Sequence, residues 1–316
     1  MKEPGDRARV LVLGTGAMGS LLAARLGRGG AATVTVAGTW AEGLEAIRTH
    51  GITVEDEAGP WSVRVGTAPL SQAGPADFVL VLVKSTRTAA VAETAARALL
   101  PGGTIVSLQN GLGNREVLAR AAGPDRVTVG VATLGATLLG PGRVRSFPGR
   151  IVLAAAGPER LSKLTLAFER AGIEAATTTD IEQLIWRKLA VNCAINPLTA
   201  LRGAPNDAIL SSAADREHAA SAAREVAAVA QAKGIDLAAD AAELAFEVAA
   251  RTAGNRSSML QDLDRGAATE IDAMCGAVVA EGRRLGVPTP VNEDLWHAVR
   301  EREGRPLAKS AAASPS

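Results

Sequence analysis

Short apolar runs and helical stretches alternate along the first part of the chain. Arg9 to Leu13 (RVLVL) reads as a buried strand, Ala17 to Leu26 as a helix, and Thr33 to Val36 as a second strand. Ile52 to Val54 and Ser62 to Val65 flank Glu57-Ala58-Gly59-Pro60, a hairpin turn signal. Phe78 to Val83 (FVLVLV) is continuously apolar, the pattern of a parallel strand covered on both faces. Ala89 to Leu100 is helical, and Thr104 to Leu108 returns to strand. Val127 to Leu153 is β-like, turns at Gly140-Pro141-Gly142, and is expected to extend the sheet with antiparallel strands. A helix over Leu161 to Ala171 and a strand over Ile173 to Thr177 close the series. Such alternation predicts a doubly wound α/β domain.

After Asp180 the pattern changes to Ala-rich helical periodicity with few strand signals, broken at Gly203-Ala204-Pro205, Gly234, Gly254 and Gly266. The expected organisation is therefore a domain over 1–179, an all-α domain over 180–308, and an Ala/Ser/Pro tail over 309–316 with the composition of a disordered segment.

The first strand runs directly into Gly14-Thr15-Gly16-Ala17-Met18-Gly19 and then a helix. A bare G-x-G-x-x-G is weak evidence, but strand before and helix after are the context that a dinucleotide loop requires. Gly14 permits the tight turn, Gly16 lets backbone approach a pyrophosphate, and Gly19 lets helix and strand pack closely. The helix N-terminus adds N–H groups and partial positive charge. The second strand ends in Ala37-Gly38-Thr39-Trp40, with neither the acid that favours NAD nor the arginine that accommodates NADP. Thr39 can bond either ribose, and the next base is Arg48, so both cofactors stay open.

Trp186 to Pro197 opens the second domain. On a helix Lys188, Asn192 and Asn196 fall at i, i+4 and i+8, one polar stripe among Leu189, Ala190, Val191, Ala194 and Ile195. Polar groups on a buried helix are costly without partners, and a site for a carboxylate and a carbonyl would supply them. The alternative is that Asn196 before Pro197 simply ends the helix. In Asn255-Arg256-Ser257-Ser258-Met259-Leu260-Gln261-Asp262, Ser258 and Gln261 have capping-box spacing. Glu270 stands in the first turn of a further helix, where the macrodipole also favours an ordinary surface acid.

Composition removes several classes. The 316 residues carry a net charge of +1 and no basic stripe, which gives no reason to expect nucleic acid or an anionic membrane. Cys193 and Cys275 are too few for a disulfide framework, and no metal-ligand spacing is present. The polar N-terminus lacks a secretory apolar region, and no run reaches the roughly 18 residues of a membrane span. A cytoplasmic location is expected. With no tyrosine, the Tyr-x-x-x-Lys pair of short-chain dehydrogenases is excluded. The three histidines, His50, His218 and His297, have no evident partner, which argues against a lactate-type site.

With WRKLAVNCAINPLTAL and NRSSMLQDLDRGAATEID added to the glycine loop, the chain resembles the ketopantoate reductase (2-dehydropantoate 2-reductase) family over nearly its whole length. The resemblance implies a Rossmann domain followed by a helical domain like that of 6-phosphogluconate dehydrogenase, with the active site in the cleft between them. It implies reduction of 2-dehydropantoate to (R)-pantoate with NADPH, NADH remaining open, in pantothenate biosynthesis. Carried over by position, Lys188 is the general acid and Glu270 its acidic partner. Asn192, Asn196, Asn206 and Ser258 bind substrate, with Asn255 to Ser257 beside them. Lys84 and Asn110 contact cofactor, Asn110 also substrate, and Ala136 lies beside the cofactor. The chain departs from the pattern at Thr39-Trp40, where many members have an arginine, at Leu134, where histidine is common, and at Arg202-Gly203. Two other readings follow: a same-fold reductase of another 2-oxo acid or an imine, and a non-catalytic dinucleotide-binding regulator. Ala-rich helices such as Ala219 to Ala232 leave packing within a subunit and packing across a homodimer both open.

Overall fold

The computed structural model describes residues 7–155 and 158–304; the tail over 309–316 lies outside the described residues. The chain divides into two compact units. One is the chain up to Gln109 with Gly113–Ile181; the other is Asn110–Leu112 with the chain from Glu182 onward.

The first unit runs β1 (Arg9–Leu13), α1 (Ala17–Gly27), β2 (Thr33–Gly38), α2 (Ala41–His50), β3 (Ile52–Asp56), β4 (Gly59–Val63), β5 (Gly66–Pro69), β6 (Ala76–Val81), α3 (Thr88–Ala98), β7 (Leu99–Ser107), α4 (Asn114–Ala122), β8 (Val127–Ala132), β9 (Gly135–Gly140), β10 (Arg143–Phe147), β11 (Arg150–Ala154), α5 (Pro158–Arg170) and β12 (Glu174–Thr178). The main sheet has the order β12-β11-β8-β7-β6-β1-β2-β5. Its pairs are parallel except β11 against β8. β1 lies between β2 and β6, so the winding reverses there. In open α/β sheets ligands bind beyond the carboxyl ends of the strands at such a point. β1 and β6 are apolar on both faces because one face packs with α1 and α5 and the other with α3 and α4.

β9 and β10 do not extend the main sheet, as the sequence suggested. They join β3 and β4 in a second sheet of order β4-β3-β10-β9, while β8 and β11 alone stay in the first. The cause is α1. Leu21, Leu22, Ala23, Ala24 and Leu26 are all fully buried, so the helix needs cover on the side away from its own sheet, where Arg25 also pairs with Asp56 of the second sheet. Ile52, Val54 and Val144 of the second sheet face this core, and Glu55 outside it pairs with Arg143 and Arg145. A smaller correction concerns Leu99 and Leu100, expected in the preceding helix. That helix ends at Ala98 and the strand starts at Leu99. Pro101 disfavours helical backbone at the residue before it.

The helical unit contains α6 (Ile181–Arg202), α7 (Ala213–Ala232), α8 (Ala241–Arg251), α9 (Ser258–Asp264), α10 (Ala277–Leu285) and α11 (Pro290–Arg302). Alanines of α7 and α8 supply much of its buried interior. Asn196 does not end α6, which continues through Pro197 to Arg202. Thr199 helps to hold that stretch, its hydroxyl lying 2.9 Å from the Ile195 carbonyl. No helix among the described residues is long and apolar enough to cross a membrane.

The sandwiched position of α1 makes Leu22→Ala costly, by about 2–5 kcal/mol, whereas Leu166→Ala should stay within about 0.5 kcal/mol. Leu22 is fully buried and Leu166 is 43% exposed. Urea unfolding followed by circular dichroism would check the pair.

Candidate active site

In the first unit the glycine loop bridges the carboxyl end of β1 and the N-terminus of α1. Gly14 has φ +126°, and a Cβ there would stand 2.9 Å from the Leu82 carbonyl carbon and oxygen. A Cβ on Gly19 would stand 2.0 Å from the Gly14 carbonyl oxygen. Both glycines are thus required by the protein's own backbone. Gly16 is different, because a Cβ there would meet nothing within 4 Å. Gly16 is also the N-cap of α1, with no side chain accepting from the first-turn amides. Open space above a glycine and uncapped amides at the head of an 11-residue helix fit a dinucleotide's pyrophosphate.

The loop is fixed by Gly14 N donating to the Ala37 carbonyl and Leu82 N to the Leu13 carbonyl, each at 2.9 Å. Thr15 is buried beside Gly38 at the end of β2, while Thr39 is exposed. Lys84 follows β6 on the neighbouring loop, and Ala136 lies in β9 opposite Ser146. A residue missed from the sequence organises this edge. Gln109 Nε2 donates to the Val83 carbonyl at 2.9 Å and to Thr88 Oγ1 at 2.7 Å, and Ser107 Oγ donates to Gln109 Oε1 at 2.9 Å. Thr88 in turn donates to Asn114 Oδ1 at 2.8 Å. The only sequence signal was a polar residue after an apolar strand.

In the helical unit the structure brings Lys188, Glu270 and Asn110 together. Asn110 Nδ2 donates to Glu270 Oε2 at 3.0 Å, and Leu112 N donates to the Ala273 carbonyl at 2.9 Å. Gly111 has φ +81°, and a Cβ on it would stand 2.2 Å from the Ala273 carbonyl oxygen. Glu270 is 7% exposed, so it is not a surface acid. Nor does it stand in a regular first turn: the next residues, Asp272–Gly276, form a π-turn that leads into α10. Burial pulls the Lys188 ammonium down to about 8, against the Glu270 carboxylate, which pulls it upward.

Asn192 and Asn196 lie on α6 with Lys188, Asn192 half-buried and Asn196 buried. Asn206 N donates to the Asn255 carbonyl, and Asn206 Nδ2 to Thr252 Oγ1, both at 2.9 Å. The buried Asn206 Oδ1 has no hydrogen-bond partner. Ser257, not Ser258, caps α9: its Oγ accepts from Leu260 N and lies 2.9 Å from Thr199 Oγ1. Gln261 reaches back to the Arg256 carbonyl instead of completing a box with Ser258. Ser258 and Asn255 are exposed.

Comparison with known proteins matches residues 10–158 to the model described as ketopantoate reductase PanE/ApbA, and residues 180–303 to its C-terminal counterpart. The chain belongs to the ketopantoate reductase family. It is 37% identical to the 2-dehydropantoate 2-reductase of Halobacterium salinarum, over 94% of this chain and 100% of that protein. Identity to the Archaeoglobus fulgidus 2-dehydropantoate 2-reductase is 36%, over 92% and 97%. Among solved structures, the 2-dehydropantoate 2-reductase of Geobacter metallireducens superposes with a TM-score of 0.85 at 32% identity, over 93% of this chain and 99% of that one. A ternary complex of D-mandelate dehydrogenase with NADH and anilino(oxo)acetate superposes with a TM-score of 0.87 at 25% identity, over 94% and 98%. Membership makes the protein an oxidoreductase with the family's fold, an α/β unit followed by a helical one.

Gly16 and Gly19 should separate ligand binding from folding. Gly16→Ala meets no protein atom, so its unfolding midpoint should match the wild type. A methyl crowding the ligand costs about 1–3 kcal/mol, so the Kd for the reduced dinucleotide should rise about 10- to 100-fold in a fluorescence titration. Gly19→Ala should instead lower the midpoint itself.

Proposed function

We propose that the protein reduces the ketone of 2-dehydropantoate to give (R)-pantoate, with NADPH or NADH as reductant. The observation that carries this reading is the desolvated ammonium of half-buried Lys188, held charged by the Glu270 carboxylate, on the helix that also carries Asn192 and Asn196. The glycine loop and the α1 amides would hold the dinucleotide pyrophosphate, with Thr39 at the ribose and Lys84 nearby. When bound, the reduced nicotinamide supplies a hydride to the carbonyl carbon.

Lys188 then acts on the carbonyl oxygen. As an ammonium it stabilises the negative charge that grows there, and it gives up its proton to form the hydroxyl. An ammonium whose proton leaves near pH 8 is a stronger acid than a solvated lysine at about 10.4. Glu270 orients Lys188 and keeps it charged, and Asn110 steadies the carboxylate. Asn192, Asn196 and Ser258 would bind the substrate's carboxylate and distal hydroxyl, fixing the face presented. Ser257 serves this group indirectly by capping α9, and Asn206 and Asn255 hold each other's backbone.

A second reading has support of its own. The likeness to D-mandelate dehydrogenase bound to NADH and an oxoacetate suits a reductase of another 2-oxo acid, with NADH as reductant. The end of β2 carries neither an acid to repel a 2′-phosphate nor an arginine to attract it. Steady-state assays with 2-dehydropantoate and with an aromatic 2-oxo acid, each with NADPH and NADH, decide between the two. Turnover of 2-dehydropantoate is the expected result; turnover of the aromatic acid alone would sink the main reading. With neither charge at that position, the two cofactors should give kcat/KM values within about tenfold of each other, since tenfold corresponds to about 1.4 kcal/mol.

Lys188→Ala should lower kcat by about 10²–10⁴-fold. In the wild type, kcat/KM for reduction should be level at low pH and fall as the pH rises through about 8, where Lys188 loses its proton. Glu270→Gln removes the charge that raises the lysine, so the falling limb should move to lower pH. A limb that stays put in Glu270→Gln would detach Glu270 from Lys188.

A further inference from the structure

The turn that carries Glu270 is gripped by one face of α11. Trp296, Arg300 and Glu303 fall at i, i+4 and i+7, which places them in one line at the end of the helix. Trp296 Nε1 and Arg300 Nη1 both donate to Asp272 Oδ1, at 2.7 and 2.9 Å. Glu303 Oε1 accepts from Thr269 N at 2.5 Å. Glu270 lies between these two fixed points. Thr269 is fully buried, so its amide has no recourse to water. Gly276, at the end of the π-turn, lies against the Trp296 ring, where a Cβ would come within 3.0 Å of Nε1 and Cε2.

The other end of α11 is anchored as firmly. Glu225 of α7 accepts from Val291 N at 2.8 Å and from Asn292 N at 2.9 Å, a carboxylate on the amides of a helix N-terminus. Asn292, fully buried, donates to Glu225 Oε2 and to the Ala222 carbonyl. A helix fixed at its first turn by α7 can transmit a fixed position to its last.

We propose that α11 is a brace for Glu270, with Trp296, Arg300 and Glu303 as positioning residues that keep the Glu270 carboxylate beside Lys188 and Asn110. This inference rests on the reading of Lys188 and Glu270 given above. None of the three brace residues acts on the substrate. Their effect is exerted through the backbone of Thr269 to Asp272. The charged groups in play are Glu303 and Arg300 from α11, Asp272 and Glu270 on the turn, and Lys188 from α6.

Glu303→Ala removes the acceptor for the Thr269 amide, and Glu303→Gln keeps a neutral one. Both enzymes would be compared with the wild type, Lys188→Ala and Glu270→Gln. The readouts are kcat, KM for the oxo acid, the pH profile of kcat/KM, and the Kd for NADPH, which reports a folded nucleotide loop. Misplacing a group by about 1 Å costs up to about 10²-fold, so Glu303→Ala should lose about 10- to 100-fold in kcat. Its KM should change less than its kcat. Its alkaline limb should move to lower pH, in the direction of Glu270→Gln, because a displaced carboxylate supports the lysine's charge less. Glu303→Gln should recover most of kcat and the limb. A Glu303→Ala enzyme with lower thermal stability but wild-type kcat and limb would overturn the brace alone. Wild-type kcat in Lys188→Ala and Glu270→Gln would overturn the reading of the site, and the brace with it.

Discussion

An ammonium removed from water must find a counter-charge or give up its proton, and the architecture around Lys188 answers that requirement. The lysine sits on α6, whose neighbouring positions are nearly all apolar and buried. Burial draws its proton affinity down and Glu270 restores part of it. Glu270 is itself buried and needs donors, and Asn110 supplies one. The Asn110–Leu112 segment can lie along the Glu270 turn only because Gly111 has no side chain to strike Ala273. The turn is then secured by α11, and α11 by Glu225 on α7. One desolvated charge thus accounts for polar residues on four elements of a largely apolar helical unit.

The α/β unit obeys a different constraint, that of a helix buried on more than one side. α1 must be covered on all sides, and the second sheet exists to cover the side that the main sheet leaves. Rigid cover on both sides fixes the α1 N-terminus relative to β1. That is what a phosphate site needs, since amides aimed at an anion help only if they do not reorient when it arrives.

Much of this was readable because each signal was local. Continuous apolar runs marked β1 and β6, the glycine loop stood between strand and helix, and Lys188, Asn192 and Asn196 recur at the period of one helical face. What escaped depends on partners far apart in the chain. The pairing of β3 with β10 joins residues about ninety positions apart, and alternation alone cannot say which sheet a strand enters. Only Leu21-Leu22-Ala23-Ala24, four apolar residues in a row spanning a full turn of α1, hinted that something must cover it. Gln109 was missed because its partners are a backbone carbonyl on the loop after β6 and a threonine at the head of α3. The capping residue of α9 was misplaced by one position because Ser257 and Ser258 are equivalent in sequence, and only tertiary contacts, the bond to Thr199 and the burial of Ser257, separate them. Pro197 suggested a helix end, but the buried packing of Leu198 and Ala200 beyond it outweighs one lost backbone bond.

The residues that most sharply indicate chemistry are those whose identity the protein's own packing does not require. Gly14 and Gly19 are demanded by backbone atoms 2.9 and 2.0 Å from where a Cβ would stand. Gly16 has an ordinary extended conformation, φ −74° and ψ −173°, with free space around it, and a serine or aspartate there would cap α1 better. Helix capping alone would favour one of those residues over glycine at that position; the proposed dinucleotide, passing close to the backbone, would favour glycine. Lys188 follows the same logic. A buried ion pair is weak evidence for stability, since apolar residues of similar volume are often as good or better. An apolar side chain would suit the surroundings of α6, yet the chain keeps a lysine, a counter-ion and a braced turn to hold that counter-ion. The proposed reaction, in which the lysine's proton moves, would account for a pair so costly to desolvate.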